Sequence, residues 1–296
     1  MNFEERIKDY LEANKHSALI LFLLAVDVIA YSRYPHAFLG VIGFFLIVAY
    51  LGIDFVKPGK GGADWRKAAK ELAIAVGFAA GAWIIACFLL NTSAPLNVVT
   101  SCSMLPELER GDLIILQGAD YLVDEAASGE DYSRVEYATN PYVITGGTQP
   151  SAIMLQDATL DGEPLFEYPL RACSVVMRDG NEYSAPCAPE VNFQGESHSS
   201  DGNDILVFEP EPRVYGLIIH RALLKINAED GAYYLTKGDN NQFADQRAGM
   251  QLVREEDVKG RVLLRVPLLG YLKLFFFWQF DEPPGCDRVL YERMTY

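Results

Sequence analysis

Histidine is scarce in this 296-residue sequence: only His16, His36, His198 and His220 are present, so few side chains can serve as an imidazole base or metal ligand. Five cysteines occur with no CxxC pair and no His/Cys spacing of the zinc-binding kind, which excludes the usual zinc-finger and thioredoxin-like readings. The GxSxG pattern is missing, so nothing marks the nucleophile elbow of the common esterase fold. Basic residues are outnumbered, 25 Lys and Arg against 40 Asp and Glu, for a net charge of −15. That balance argues against a nucleic-acid partner, which would want basic patches. No repeat or extended low-complexity tract is evident.

What the chain does have is apolar runs, crowded into its first ninety residues. Ser17 to Tyr31 is interrupted only by Asp27, Ala37 to Val56 follows after "SRYPH", and Ala68 to Leu90 follows a basic loop. A spanning helix needs roughly 20 apolar residues. The second and third runs meet that length, and the first is the weakest of the three because it is short and carries an acid. A cleaved signal peptide is the competing reading of the first run. Against it, the preceding "MNFEERIKDYLEANKH" is long and mixed in charge, and no small-x-small pattern follows. The expectation is therefore a bundle of about three transmembrane helices, at about 17–32, 36–56 and 68–90, within a membrane region spanning 1–92. Lys57, Lys60, Arg66, Lys67 and Lys70 crowd the loop between the second and third runs, while the loop between the first two has only Arg33. The positive-inside rule then puts the N-terminus and residues 57–70 in the cytoplasm and everything after about Asn91 outside. The localisation expected is a multi-pass protein of the cell membrane.

From 93 to 280 strand signals dominate. "DLIIL", "AIMLQ", "SVVMR", "DILVFE", "GLIIHRALLKI", "AYYLT" and "GRVLLRV" are short β-prone runs separated by Gly, Pro, Asn and Asp. Such a series reads as a mainly β domain. The stretch 118–202 is the least regular part and reads as a loop-like acidic insertion or cap. Between Gly118 and Pro212 there are about eighteen acidic side chains and three arginines, which a solvated acidic surface accounts for. Cys173 and Cys187 share this acidic, extracytoplasmic segment, and a disulfide between them is expected there. The aromatic run Phe275, Phe276, Phe277, Trp278 and Phe280 suits a water–lipid boundary, with a core strand as the other reading. Residues 281–296 read as a C-terminal tail.

Three segments carry candidate chemistry. "TSCSMLPELERGDLIIL" offers Ser101 and Ser103 in a turn that feeds a strand. "GLIIHRALLKI" places His220, alone among the histidines, on a rigid β run. "YLTKGDNNQFADQ" supplies Asp239 and Asp245. Taken alone, the last is an Asx-rich loop stabilising its own backbone, and a lone strand histidine is most often structural. Together they contain the parts for acyl transfer. A serine hydroxyl is a weak nucleophile until a base takes its proton, imidazole does so at neutral pH, and a carboxylate behind it fixes the tautomer and stabilises the imidazolium.

"SCSMLPELERGDLIIL", "IIHRALL", "TKGDNN" with Asp245 beyond it, and "VKGRVLLRVPLLGYLKL" resemble, in order, the boxes of signal peptidase I, in its archaeal and endoplasmic-reticulum type with a histidine base. "SDGNDILVFEP" also resembles the strand before the histidine box. The likeness covers about Val98 to Leu116 and about Ser200 to Leu274. It implies a signal peptidase-like β fold, with Ser103 as nucleophile and His220 as general base. The family pattern puts the orienting acid at Asp245 and gives Asp239 the holding of the loop. Ser103 N–H and the Ser101 hydroxyl would form the oxyanion hole. The implied substrates are secretory preproteins whose signal peptides lie in the lipid membrane and whose extended segment, small before the cut, pairs with a strand edge. No metal or other cofactor is needed. Accessory subunits or the secretion machinery are further partners that the resemblance leaves open.

Departures remain. Cys102 stands where this subtype usually has glycine, so a backbone with φ > 0 there would be strained. The stretch between the serine and histidine boxes is much longer than in most members of that family, so the resemblance does not supply a role for the acidic insertion. Lys225 and Lys237 invite a Ser–Lys dyad instead. A catalytically silent homologue, binding partners outside the cell on the same β scaffold, is the alternative from another class. Gly77 and Gly81 form a GxxxG pattern that could pack against another helix.

Overall fold

The computed structural model describes residues 15–56, 65–118, 121–144 and 151–291. The basic loop at 57–64, the first fourteen residues and the end of the expected tail lie outside the described residues, and so does most of "GGTQPS". The chain divides into two compact units, one built from the N-terminal helices with residues 110–113 and 266–282, the other from the remaining β-rich chain.

In the first unit, helices α1 (Lys15–Arg33) and α2 (Ala37–Val56) pack on each other. Pro35 ends α1, because the residue before a proline is driven out of the helical region. The buried residues of α1 are Leu24, Asp27, Val28 and Tyr31, a spacing of three and four that lies on one helical stripe. Many of its other apolar side chains are exposed, as at Leu19, Phe22, Val26 and Ile29. A short helix, Tyr271–Phe276, docks against α2. Its close approach needs Gly40 and Gly43, where a side chain would run into Phe280 and Phe275. Tyr31 meets Tyr271 and Phe275 edge-on, at 5.3 and 5.0 Å between ring centroids. The Tyr31 hydroxyl donates to the Phe280 carbonyl, and Arg110 donates to the Tyr31 hydroxyl (3.2 Å) and the Gln279 carbonyl (2.6 Å). The aromatic run is thus not a strand. Phe275 and Phe280 are core, whereas Phe276, Phe277 and Trp278 are exposed.

Helix α3 (Trp65–Leu89) forms over the third apolar run. Its side chains from Ile74 to Leu89 are largely exposed, and open space lies beside both Gly77 and Gly81. A three-helix bundle is not shown among the described residues. Among the described residues, α1 is long and apolar enough to cross a membrane, whereas α2 and α3 offer only the shorter apolar stretches Ala37–Tyr50 and Ala73–Leu89.

The second unit is mainly β. Its strands in chain order begin with β1 (Leu96–Val98), β2 (Leu113–Gln117), β3 (Glu125–Ala127), β4 (Glu136–Ile144), β5 (Ser151–Leu160) and β6 (Glu163–Pro164). Then come β7 (Arg171–Met177), β8 (Glu182–Cys187), β9 (Glu190–Phe193), β10 (Glu196–Ser199) and β11 (Ile205–Phe208). The series ends with β12 (Ile218–Ala228), β13 (Gly231–Lys237), β14 (Val253–Arg254), β15 (Val258–Val266) and β16 (Arg288–Tyr291). The main sheet is a curled half-barrel in the order β1-β2-β15-β11-β12-β13-β14, with β3 added parallel to β12. Strands β11, β12 and β13 are buried on both faces where they cross the middle of the unit, whereas β15 is mostly half-buried.

The acidic insertion is more regular than its sequence suggests. It forms a β4-β5-β6 sheet, a β9-β10 hairpin and a β7-β8 pair that β16 completes. Nor is it a separate cap. Tyr132, Phe166, Val191 and Phe193 share one core with Leu223, Leu224, Ile226 and Leu235 of the main sheet. The expected tail likewise carries structure, since β16 pairs with β7 in register Arg288 to Met177.

Two disulfides are present. Cys173–Cys187 closes a sequence separation of 14, as expected, and Cys102–Cys286 closes one of 184. In the chain-entropy account these constrain the unfolded ensemble by about 3 and about 5 kcal/mol. Cys87 is free.

Candidate active site

The turn after β1 is seated by its apolar residues. Met104 and Leu108 are almost fully buried with Val99, Ile114 and Val207, and the Leu108 N–H donates to the Met104 carbonyl at 2.9 Å. The Leu105–Pro106 bond is cis. Cys102 is absent from the positive-φ residues, so the strain expected of a non-glycine residue there does not arise.

This seat brings Ser103 to His220, which β12 holds opposite Leu206 of β11. Ser103 Oγ lies 2.9 Å from His220 Nε2, and His220 Nδ1 lies 2.7 Å from Asp245 Oδ2. An ionised carboxylate only accepts. Nδ1 therefore carries the imidazole proton, and Nε2 is left to accept from the Ser103 hydroxyl. His220 is 5% exposed and Asp245 1%, so the imidazole–carboxylate pair sits apart from water, where such hydrogen bonds are strong.

Asp245 is itself positioned. The hydroxyl of fully buried Thr236, on β13, donates to Asp245 Oδ2 at 2.7 Å, and the Asp245 N–H donates to the Thr236 carbonyl at 2.8 Å. The Thr236 N–H in turn donates to the side-chain carbonyl of Gln246 at 3.1 Å. The following turn docks on the insertion. Gln156 of β5 donates to the Gln246 and Met250 carbonyls, and Arg247 lies between the rings of Tyr142 and Tyr168 while pairing with Asp157 at 2.5 Å.

Asp239 is engaged elsewhere. Arg221 donates to both its oxygens, at 3.0 and 2.8 Å. Burial works against the Arg221 charge, but the hydrogen bonds and charge of Asp239 outweigh it and hold the guanidinium pKa above its ordinary value. Ser101 Oγ is 3.2 Å from Ser103 Oγ and exposed. Of the lysines considered for a dyad, Lys225 pairs with Glu125 at 3.2 Å and Lys237 Nζ donates to the Gly238 carbonyl at 3.4 Å. His198 lies buried on β10, opposite Val191. No cluster of three or more His, Cys, Asp or Glu that could hold a metal occurs among the described residues.

Sequence reasoning missed four residues of this arrangement. Thr236 and Asn240 lie inside the "TKGDNN" box and Gln246 follows Asp245, so their position was a signal that went unused. Asn240 joins the serine turn: its N–H donates to the Ser103 carbonyl at 2.7 Å and its side-chain amide to the Cys102 carbonyl at 2.9 Å. Cys286, the partner of Cys102, had no sequence signal, because connectivity among cysteines cannot be deduced from spacing.

Comparison with known proteins adds a relative but no chemistry. Over 195 residues, 62% of this chain and 84% of the relative, the chain is 25% identical to an uncharacterized protein of Methanocaldococcus jannaschii. No family model matches the chain, and no solved structure matches it.

Proposed function

We propose that the chain is a membrane-bound serine endopeptidase of the signal peptidase I type, removing N-terminal signal peptides from exported preproteins after small residues. The observation that carries the reading is the continuous hydrogen-bonded line Ser103–His220–Asp245, built from the same segments whose sequence resembles that family's boxes.

The chemistry follows from the geometry. His220 Nε2 takes the Ser103 proton as Oγ attacks the scissile carbonyl carbon. The carbonyl π pair moves to oxygen, and the Asp245 carboxylate stabilises the imidazolium that forms. Ser103 N–H and the Ser101 hydroxyl would donate to that oxyanion, a contribution typically worth about 10²–10³ in rate per donor. Collapse expels the mature chain's amine, which receives the proton from His220. Water, deprotonated by the same imidazole, then cleaves the Ser103 ester and releases the signal peptide. Strand β1, at the end of the main sheet, runs into the serine turn, so an extended substrate could add there through main-chain hydrogen bonds.

In this reading all three helices span, and the loop at 57–70 faces the cytoplasm by its charge. The β unit then lies outside, where two disulfides are in keeping with the compartment. The silent-homologue alternative, motivated by Cys102 and the long insertion, loses the first of these motives, because Cys102 belongs to a disulfide rather than to a strained turn.

The test is cleavage of a preprotein with small residues before the cut, by membranes carrying wild type, Ser103→Ala or His220→Ala. Wild type is expected to release the mature chain, and each variant to lose up to about 10⁶ in turnover. Equal behaviour of all three would overturn the reading.

A further inference from the structure

We propose that the C-terminal segment 285–291 is a brace that positions Ser103, tying the serine turn to the acidic insertion; this rests on reading Ser103 as the nucleophile. Three ties converge on the turn. Cys102, the residue before Ser103, is bonded to Cys286, and both are buried. The Asn240 amide donates to the Cys102 carbonyl and also to the Gly285 (3.2 Å) and Arg288 (3.0 Å) carbonyls, while its Oδ1 accepts from Leu290 N–H at 2.8 Å. The Asn240 backbone N–H holds the Ser103 carbonyl itself. One side chain therefore fastens the serine turn and the segment 285–291 to the loop after β13.

The brace is anchored at its far end by the insertion. Strand β16 pairs with β7 from Arg288 to Tyr291, and Leu290 is buried with Cys173, Val175, Ala185 and Cys187. Arg178 adds two bonds, its N–H to the Asp287 carbonyl (2.7 Å) and its guanidinium to the Cys286 carbonyl (2.8 Å). This gives the insertion a use the sequence resemblance does not supply. It reaches the nucleophile through a covalent link one residue away.

The hydrogen bonds that hold the base and the acid come from other elements. His220 pairs with Leu206 of β11, and Asp245 is held by Thr236. Loss of the brace should thus loosen Ser103 while leaving the His220–Asp245 pair in place. Reacting groups misplaced by about 1 Å can lose 10²-fold in rate, so the effect belongs to the rate of attack rather than to the amount of folded protein.

The experiment uses full-length protein in detergent and a fluorophosphonate probe, which reports attack by Ser103 without any peptide substrate. Wild type, Ser103→Ala and Cys102→Ala/Cys286→Ala are compared for both the rate and the final extent of labelling. The brace predicts that the double variant labels to the wild-type extent at least ten-fold more slowly. An unchanged rate, or a lower extent at the wild-type rate, overturns it, since either leaves the disulfide a purely stabilising role. If the double variant does not fold, folded wild type reduced with a phosphine and alkylated is measured by the same two quantities. Failure of the serine reading looks different: wild type then labels no better than Ser103→Ala.

Discussion

Arg221 grips Asp239 through two hydrogen bonds, 3.0 and 2.8 Å long, and so takes that carboxylate out of the contest for His220. Asp239 and Asp245 stand six positions apart in one turn-rich loop, yet they have separate partners. The residue after the histidine neutralises one, and the histidine itself binds the other at 2.7 Å.

Asp245→Asn should therefore lower turnover by on the order of 10⁴, because an amide behind Nδ1 allows the wrong imidazole tautomer. Asp239→Asn should act on stability instead, leaving the half-buried Arg221 short of its counter-charge at a cost of about 1–3 kcal/mol. Turnover measured at saturating substrate alongside urea unfolding separates the two. Equal losses of turnover in both variants would defeat the assignment.

Arg247 should be a stability residue of the insertion's docking. Its side chain is 7% exposed, pairs with Asp157 and lies 4.4 Å from the Tyr142 ring centroid and 4.8 Å from that of Tyr168. Arg247→Met keeps much of the volume but strands the Asp157 charge. Breaking such a pair costs about 3–5 kcal/mol. The urea midpoint should fall accordingly, and Arg247→Met with Asp157→Leu should recover part of the loss. A single variant as stable as wild type would contradict this packing account.

Asp27 points to a third outcome. Its Oδ2 is buried without a hydrogen-bond partner among the described residues, beside Gly43 of the neighbouring helix. Burial of an unsatisfied polar group costs free energy that an apolar side chain of similar volume does not. Asp27→Leu should raise the thermal midpoint in detergent and leave fluorophosphonate labelling of Ser103 unchanged. A lower midpoint would mean that the acid has a partner in the membrane-bound state.

The central strands were legible because β11, β12 and β13 are apolar-rich runs bounded by turn residues, and burial in a sheet needs no subtler code. His220 stood out for the same reason: it is the histidine such a run holds rigid. The insertion was not legible. Its strands include polar ones such as Glu196–Ser199, whose pairing depends on neighbours distant in sequence, so local propensity reads them as loop. The choice between Asp239 and Asp245 turned on Arg221, adjacent to His220 in sequence but on the opposite face of its strand, and periodicity alone does not say which loop acid that face will meet.

The Cys102–Cys286 bond spans 184 positions and includes nearly all of the β unit between its ends. A growing chain therefore exposes its serine turn long before the cysteine that secures it has been synthesised. Until residue 286 is delivered and oxidised, the turn has its apolar seat and the hydrogen bonds of Asn240, but no covalent hold. A chain cut short before residue 286 would carry Ser103, His220 and Asp245 but not the covalent fastening beside the serine turn.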